Sequence, residues 1–130
     1  MDHAETLSPF TPEEKNWAIL AHVTNVAGVV MSAGLLSWLG PLMVMLVKGP
    51  ESALVAQHSR ETLNWCITLL CVKIIYVIFG FVTCTLGFYV GAPVLLAAWV
   101  ISIYGGIKGG VMADKGEYYT YPFSHPFLKA

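Results

Sequence analysis

Charge is what this chain has least of. Only 12% of its 130 residues are charged, against 56% hydrophobic, its mean hydropathy is +0.66, and residues 17–47 hold no Asp, Glu, Lys or Arg at all. A water-soluble domain of this length needs a charged surface, so the balance excludes that class and points to one small all-α integral membrane domain. A formal net charge of -1 provides no basic patch, which excludes a nucleic-acid partner. Cys66, Cys71 and Cys84 lie in apolar runs without C-x-x-C or histidine-paired spacing. That excludes a metal site and a disulfide framework, and leaves them as small buried hydrophobes. No basic segment precedes the first apolar run at Trp17, so no cleaved signal peptide is expected. Nucleophile elbow, phosphate-cradling loop and H-E-x-x-H are missing too, so neither an enzyme nor a cofactor is expected.

What is present is a series of apolar runs with recognisable stops. Thr11, Pro12 and Glu14 form an S/T-x-x-E capping box with proline at the first helical position, so a helix begins at Pro12. The uncharged run 17–47 is interrupted by SAGLLS and by Gly40-Pro41. As one helix it would be about 46 Å long, too long for one span and too short for two. It divides into a first helix ending near Ser32 and a second over 35–48, a short span or a re-entrant limb. Gly49-Pro50 breaks the chain and Pro50 starts the next helix. Residues 51–61 are polar enough to lie along the membrane surface before the third run, 63–85. A turn is expected at 87–93 and a fourth run at 93–113. The domain reading is a polar tail over 1–11, a membrane helix domain over 12–113 and an aromatic tail over 114–130, whose rings suit the headgroup zone.

Charge then sets the topology. With four membrane passages, Lys15, Lys48, Arg60, Lys108, Lys115 and Lys129 all fall on one side and only Lys73 lies within the bilayer. The positive-inside rule makes that side, with both termini, cytoplasmic in a multi-pass protein of the bacterial inner membrane.

Four groups of residues are candidates for function. Lys73 lies roughly 15 Å into the third apolar run, near mid-bilayer, where an ionisable group is costly and marks function or a snorkelling side chain. His22, Thr24 and Asn25 form an intramembrane polar patch suited to helix-to-helix hydrogen bonds. Ser102, Gly106 and Gly110, with the parallel row Gly105 and Gly109, make small-xxx-small stripes for close packing, within the chain or along a homodimer seam. At the cytoplasmic level, His58, Arg60, Glu61 and Asn64 on the third helix face Lys115, Glu117, Tyr118 and Tyr119 on the tail. Pairs such as Arg60 with Glu117 or Glu61 with Lys115 would order the tail and form a partner-binding surface.

The stretches Asn16-Trp17-Ala18-Ile19-Leu20-Ala21-His22, Gly40-Pro41-Leu42, His58-Ser59-Arg60-Glu61-Thr62-Leu63-Asn64 and Lys115-Gly116-Glu117-Tyr118-Tyr119-Thr120-Tyr121-Pro122 together resemble a bacterial membrane domain related to the Tic twenty-type inner-envelope import component of chloroplasts. The resemblance implies a small multi-helix membrane domain. By analogy with the plant relatives it also implies a part in protein translocation or membrane-complex assembly. Lys73 is no part of that pattern. The functional expectation is a non-enzymatic protein that works through a membrane-protein partner or a homo-oligomer in the lipid bilayer. The alternative is a small channel, transporter or carrier subunit with Lys73 and His22 on a polar path.

Overall fold

The computed structural model describes residues 10–32 and 34–128. It is all helical among these residues: α1 Pro12–Ser32, α2 Leu39–Lys48, a 3₁₀ turn Gly49–Glu51, α3 Ala53–Val82 and α4 Leu86–Asp114. The capping box forms as the sequence requires, with Thr11 Oγ1 accepting from the Glu14 N–H at 3.2 Å and Glu14 Oε2 accepting from the Thr11 N–H at 2.7 Å. That backbone bond is the main reason the Glu14 carboxyl is held below its ordinary range. The expected polar tail over 1–11 falls almost wholly outside the described residues.

Helix lengths decide what each element can do. At 1.5 Å per residue α1 is about 31 Å long, α2 about 15 Å, and α3 and α4 about 45 Å each. Two of these, α3 and α4, are long and apolar enough to cross a membrane, whereas α2 is about half a hydrocarbon thickness. It folds back along α1, and glycines allow close approach: a Cβ on Gly28 would lie 2.5 Å from the Cα of Ser37 in the connecting loop, and one on Gly40 of α2 would strike Thr24.

Apolar contacts fix the directions. Ala18 of α1 packs with Leu54 at the start of α3 and Ala113 at the end of α4; deeper in, Val29 packs with Leu69 and Ala98. Thus α1 runs parallel to α3 and antiparallel to α4, and the α1–α2 loop reaches only the level of Lys73. Beyond it α3 and α4 pair alone, with Phe88 packed on Gly80 and edge-on to Tyr76 at 5.3 Å. Leu20, Val30 and Met31 on α1, Met43 and Leu46 on α2, Ile75 and Phe81 on α3, and Val94, Val100 and Ile107 on α4 stay exposed. So broad an apolar surface is that of a protein solvated by lipid.

Three local expectations are corrected. The second helix starts at Leu39 rather than at 35. The third starts at Ala53 behind an N-cap from Ser52, whose side chain accepts from the Val55 N–H. Pro50 serves a 3₁₀ turn instead, and residues 54, 55, 57, 58 and 59 are buried in the bundle rather than lying along a surface. The last turn falls at 83–85, not at 87–93. Thr83 Oγ1 accepts from the Gly87 N–H at 2.7 Å, and Cys84 and Thr85 take positive φ values of 53° and 76°, closing the turn before Gly87 is reached. Pro93 is therefore inside α4.

Candidate functional site

At the end where α1 and α3 begin and α4 finishes, the C-terminal segment turns back and enters the bundle. Gly116 makes this possible with φ 73°, while the Gly116 N–H donates to the Ala113 carbonyl and the Glu117 N–H to the Met112 carbonyl. The segment is held by side chains of α3 that read its backbone. Gln57 donates to the Tyr119 carbonyl at 2.7 Å and accepts from the Tyr119 N–H at 3.2 Å; Asn64 does the same to Leu128, at 3.0 and 2.6 Å. Thr68 Oγ1 accepts from the His125 N–H.

Tyr121 is the plug. Its ring lies between Trp65, stacked at 5.8 Å, and His22, stacked at 5.7 Å, with Tyr119 edge-on to it at 5.2 Å. Gly105 leaves room for it, since a Cβ there would lie 2.5 Å from the Tyr121 ring. Burial holds the Tyr119 and Tyr121 phenols above their ordinary pKa. Aromatic pairs of this kind contribute about 0.5–1.5 kcal/mol each beyond their buried area.

Behind the plug runs a hydrogen-bond chain whose polarity follows from its last link. His58 Nε2 lies 2.7 Å from the Glu117 carbonyl, which only accepts, so Nε2 carries the proton and Nδ1 of the neutral ring is bare. That Nδ1, 2.9 Å from His22 Nε2, must accept from it. His22 Nδ1 then accepts from the Tyr121 hydroxyl at 2.8 Å, which in turn accepts from Asn25 Nδ2 at 3.3 Å. Asn25 Oδ1 accepts from the Cys66 thiol at 3.3 Å, and Ser37 lies 3.6 Å beyond. Thr62, which donates to the His58 carbonyl, lies 3.3 Å from His22 Nδ1. His22, Asn25, His58, Thr62 and Cys66 are all fully buried. No cluster of three potential metal ligands occurs among the described residues.

The sequence candidates are thus redistributed. His22 and Asn25 belong to this chain. Lys73 is placed against the α1–α2 loop, its Nζ 2.7 Å from where a Gly34 Cβ would lie. Of the expected partner-binding face, His58, Asn64 and Tyr119 are buried and bonded to the protein itself, while Lys115, Glu117 and Tyr118 are exposed and Arg60 and Glu61 half-buried. The pairs Arg60–Glu117 and Glu61–Lys115 do not form; the ion pairs among the described residues are those of Lys48 with Glu13 at 3.5 Å and Glu51 at 3.1 Å. The tail is ordered by neutral hydrogen bonds and ring packing instead, which suit a buried contact better than exposed charges worth about 0–1 kcal/mol. Tyr119 and Tyr121 are buried in the protein core and present no ring to a surrounding headgroup layer, whereas Phe123 is 86% exposed. Cys66 is buried as expected, but Cys71 and Cys84 are exposed.

The small-residue stripe is used inside the chain. Gly106 packs on Val26, Gly109 on the His22 ring and Ser102 accepts from Trp65 Nε1, while a Cβ on Gly110 would meet no described neighbour within 4 Å. Sequence reasoning missed Tyr121, Gln57, Thr62 and Cys66. The signal was available for the last two, because His58, Thr62 and Cys66 recur at four-residue spacing and form one stripe along α3.

Comparison with known families overturns the import-component resemblance. The match is to the magnetosome magnetite crystal formation protein family (MamF/MmsF), over residues 13–128, a span that contains all four stretches on which the resemblance rested. No curated protein and no solved structure gives a match.

Proposed function

Since the chain belongs to the magnetosome magnetite crystal formation family, we propose that it serves crystal formation from the magnetosome membrane without catalysis, by docking other proteins on its charged end. The distribution of charge carries this reading. Among the described residues, every Asp, Glu, Lys and Arg except Lys73 lies within about two to three turns of the end where α1 starts, α2 stops and α4 stops. The opposite end, the turn 83–85, is Thr83-Cys84-Thr85. The positive-inside rule makes the charged end cytoplasmic, with α3 and α4 crossing and the α1–α2 hairpin entering from the same side to the depth of Lys73.

Interior chemistry supports the same reading. His22, His58, Asn25, Thr62 and Tyr121 bond to one another atom to atom, so they favour a closed structural core over a conducting path or a catalytic pocket. Surface groups are what remain to act. Around Lys48, Glu13, Glu51 and Trp17 border one cleft, and Arg60 borders another with Leu46 and Phe127.

The test is complementation of a magnetite-forming strain lacking this protein. Glu13→Gln/Glu51→Gln/Arg60→Gln should insert normally yet leave crystals as defective as in the deletion strain, while Cys84→Ser at the other end restores them. Full rescue by the charge-neutralised protein would refute docking through that end.

A further inference from the structure

We infer that the C-terminal segment, residues 115–128, is a latch that acidification opens, with His22 and His58 as its pH-sensitive element. This does not depend on which side of the membrane the charged end faces.

The closed state needs both imidazoles neutral. His22 is buried to 0% exposure, and so is His58, and an N–H···N bond 2.9 Å long joins them. A proton added to His58 Nδ1 would oppose the N–H of His22. A proton added to His22 Nδ1 would remove the acceptor of the Tyr121 O–H, which is the segment's own donor into the bundle.

Among the described residues neither imidazole has an ion pair with a carboxylate. The titratable groups facing His22 are His58 from α3 and Tyr119 and Tyr121 from the segment, with Cys66 one step further behind Asn25. From α4, Gly109 packs on its ring and Gly106 on its backbone, and from α3 Thr62 lies 3.3 Å from Nδ1. His58 meets the backbone carbonyl of Glu117, not its carboxylate. A buried imidazolium without a carboxylate is strongly disfavoured.

The segment is what keeps both rings dry. Tyr121 covers His22, and the carbonyl of Glu117 caps His58. When the segment leaves, water reaches both rings and they recover an ordinary histidine pKa of about 6.5. The open form then binds protons that the closed form does not, so closure is fully favoured above pH 6.5 and weakens as pH falls below it. With two histidines the open-to-closed ratio rises by up to about a hundredfold per pH unit, and with one by about tenfold. The remaining hold comes from ring packing and from Gln57, Asn64 and Thr68, whose bonds are neutral and do not titrate in this range. Gly116 is the hinge.

The experiment uses the full chain in detergent micelles, with exposed Cys71 and Cys84 replaced by alanine and nitroxides placed at exposed positions by Thr120→Cys and Ile107→Cys. Pulsed electron resonance should give one narrow distance at pH 7.5 and a growing broad population below pH 6.5, with helix content by circular dichroism unchanged. His58→Gln should flatten the response to about tenfold per unit, and His22→Gln/His58→Gln should abolish it. His125→Gln, which alters the segment's own histidine, should leave it intact. Tyr121→Phe, which keeps both histidines, should open more at every pH with the wild-type slope. The inference is overturned if the wild-type distance stays narrow to pH 5, if the double variant responds like wild type, or if helix content falls together with opening.

Discussion

Replacing Gly109 by alanine adds one methyl group where α4 meets the His22 ring. The new Cβ would lie 2.5 Å from His22 Nδ1 and 2.7 Å from Nε2, about an ångström inside ordinary contact. Either α1 and α4 separate or the ring rotates. Separation costs about 1–3 kcal/mol, the usual range for overpacking, and rotation breaks the bonds to Tyr121 and His58 at about 1 kcal/mol each. Alanine's better helix propensity returns at most about 1 kcal/mol. By either route the expected net destabilisation is therefore about 1–2 kcal/mol. Gly110 is the matched control, because nothing lies within 4 Å of its Cβ direction, and Gly110→Ala should be neutral or slightly stabilising. Unfolding of both variants in mild detergent, followed by tryptophan fluorescence, separates the two sites. If Gly109→Ala unfolds at the same point as Gly110→Ala, the close helix contact at His22 is wrong.

Asn64→Ala removes both bonds to Leu128 and should loosen residues 125–128 by about 1–3 kcal/mol, seen as faster amide exchange there with residues 117–121 unaffected. Glu14, whose carboxyl is held below its ordinary range by the Thr11 N–H, adds to the start of α1 fully at neutral pH. That contribution is lost as pH falls through the lowered value, so amide protection at the helix start should decline on acidification in wild type but start low and stay flat in Glu14→Ala.

Helix existence was legible because its signals are local. The Thr11-Pro12-Glu14 box, the Gly49-Pro50 break and the end of α1 at Ser32 follow from backbone chemistry within a few residues. The turn at 83–85 was not, because Gly87 and Pro93 look like its signal. Here Gly87 is needed for packing, a Cβ there lying 2.6 Å from Phe79 Cδ1, while Thr83 supplies the turn's bond through a side chain. At the site, His22, Asn25 and His58 stood out as polar residues in or beside apolar runs, but what joins His22 to Asn25 is Tyr121, 99 residues from His22 in sequence. Charge reasoning also misjudged the tail. It paired opposite signs at one level, whereas carboxamides, rings and backbone groups do the holding and the charges stay at the rim.

The central claim, that the charged end faces the cytoplasm, is tested most directly on intact isolated magnetosomes, whose outer surface is the cytoplasmic one. A membrane-impermeant maleimide should label Glu51→Cys in a Cys71→Ala/Cys84→Ala background, and should leave native Cys84 of a Cys71→Ala protein unlabelled until the membrane is permeabilised. Labelling of Cys84 in the intact organelle, with Glu51→Cys protected, would contradict the account by placing the charged end against the mineral.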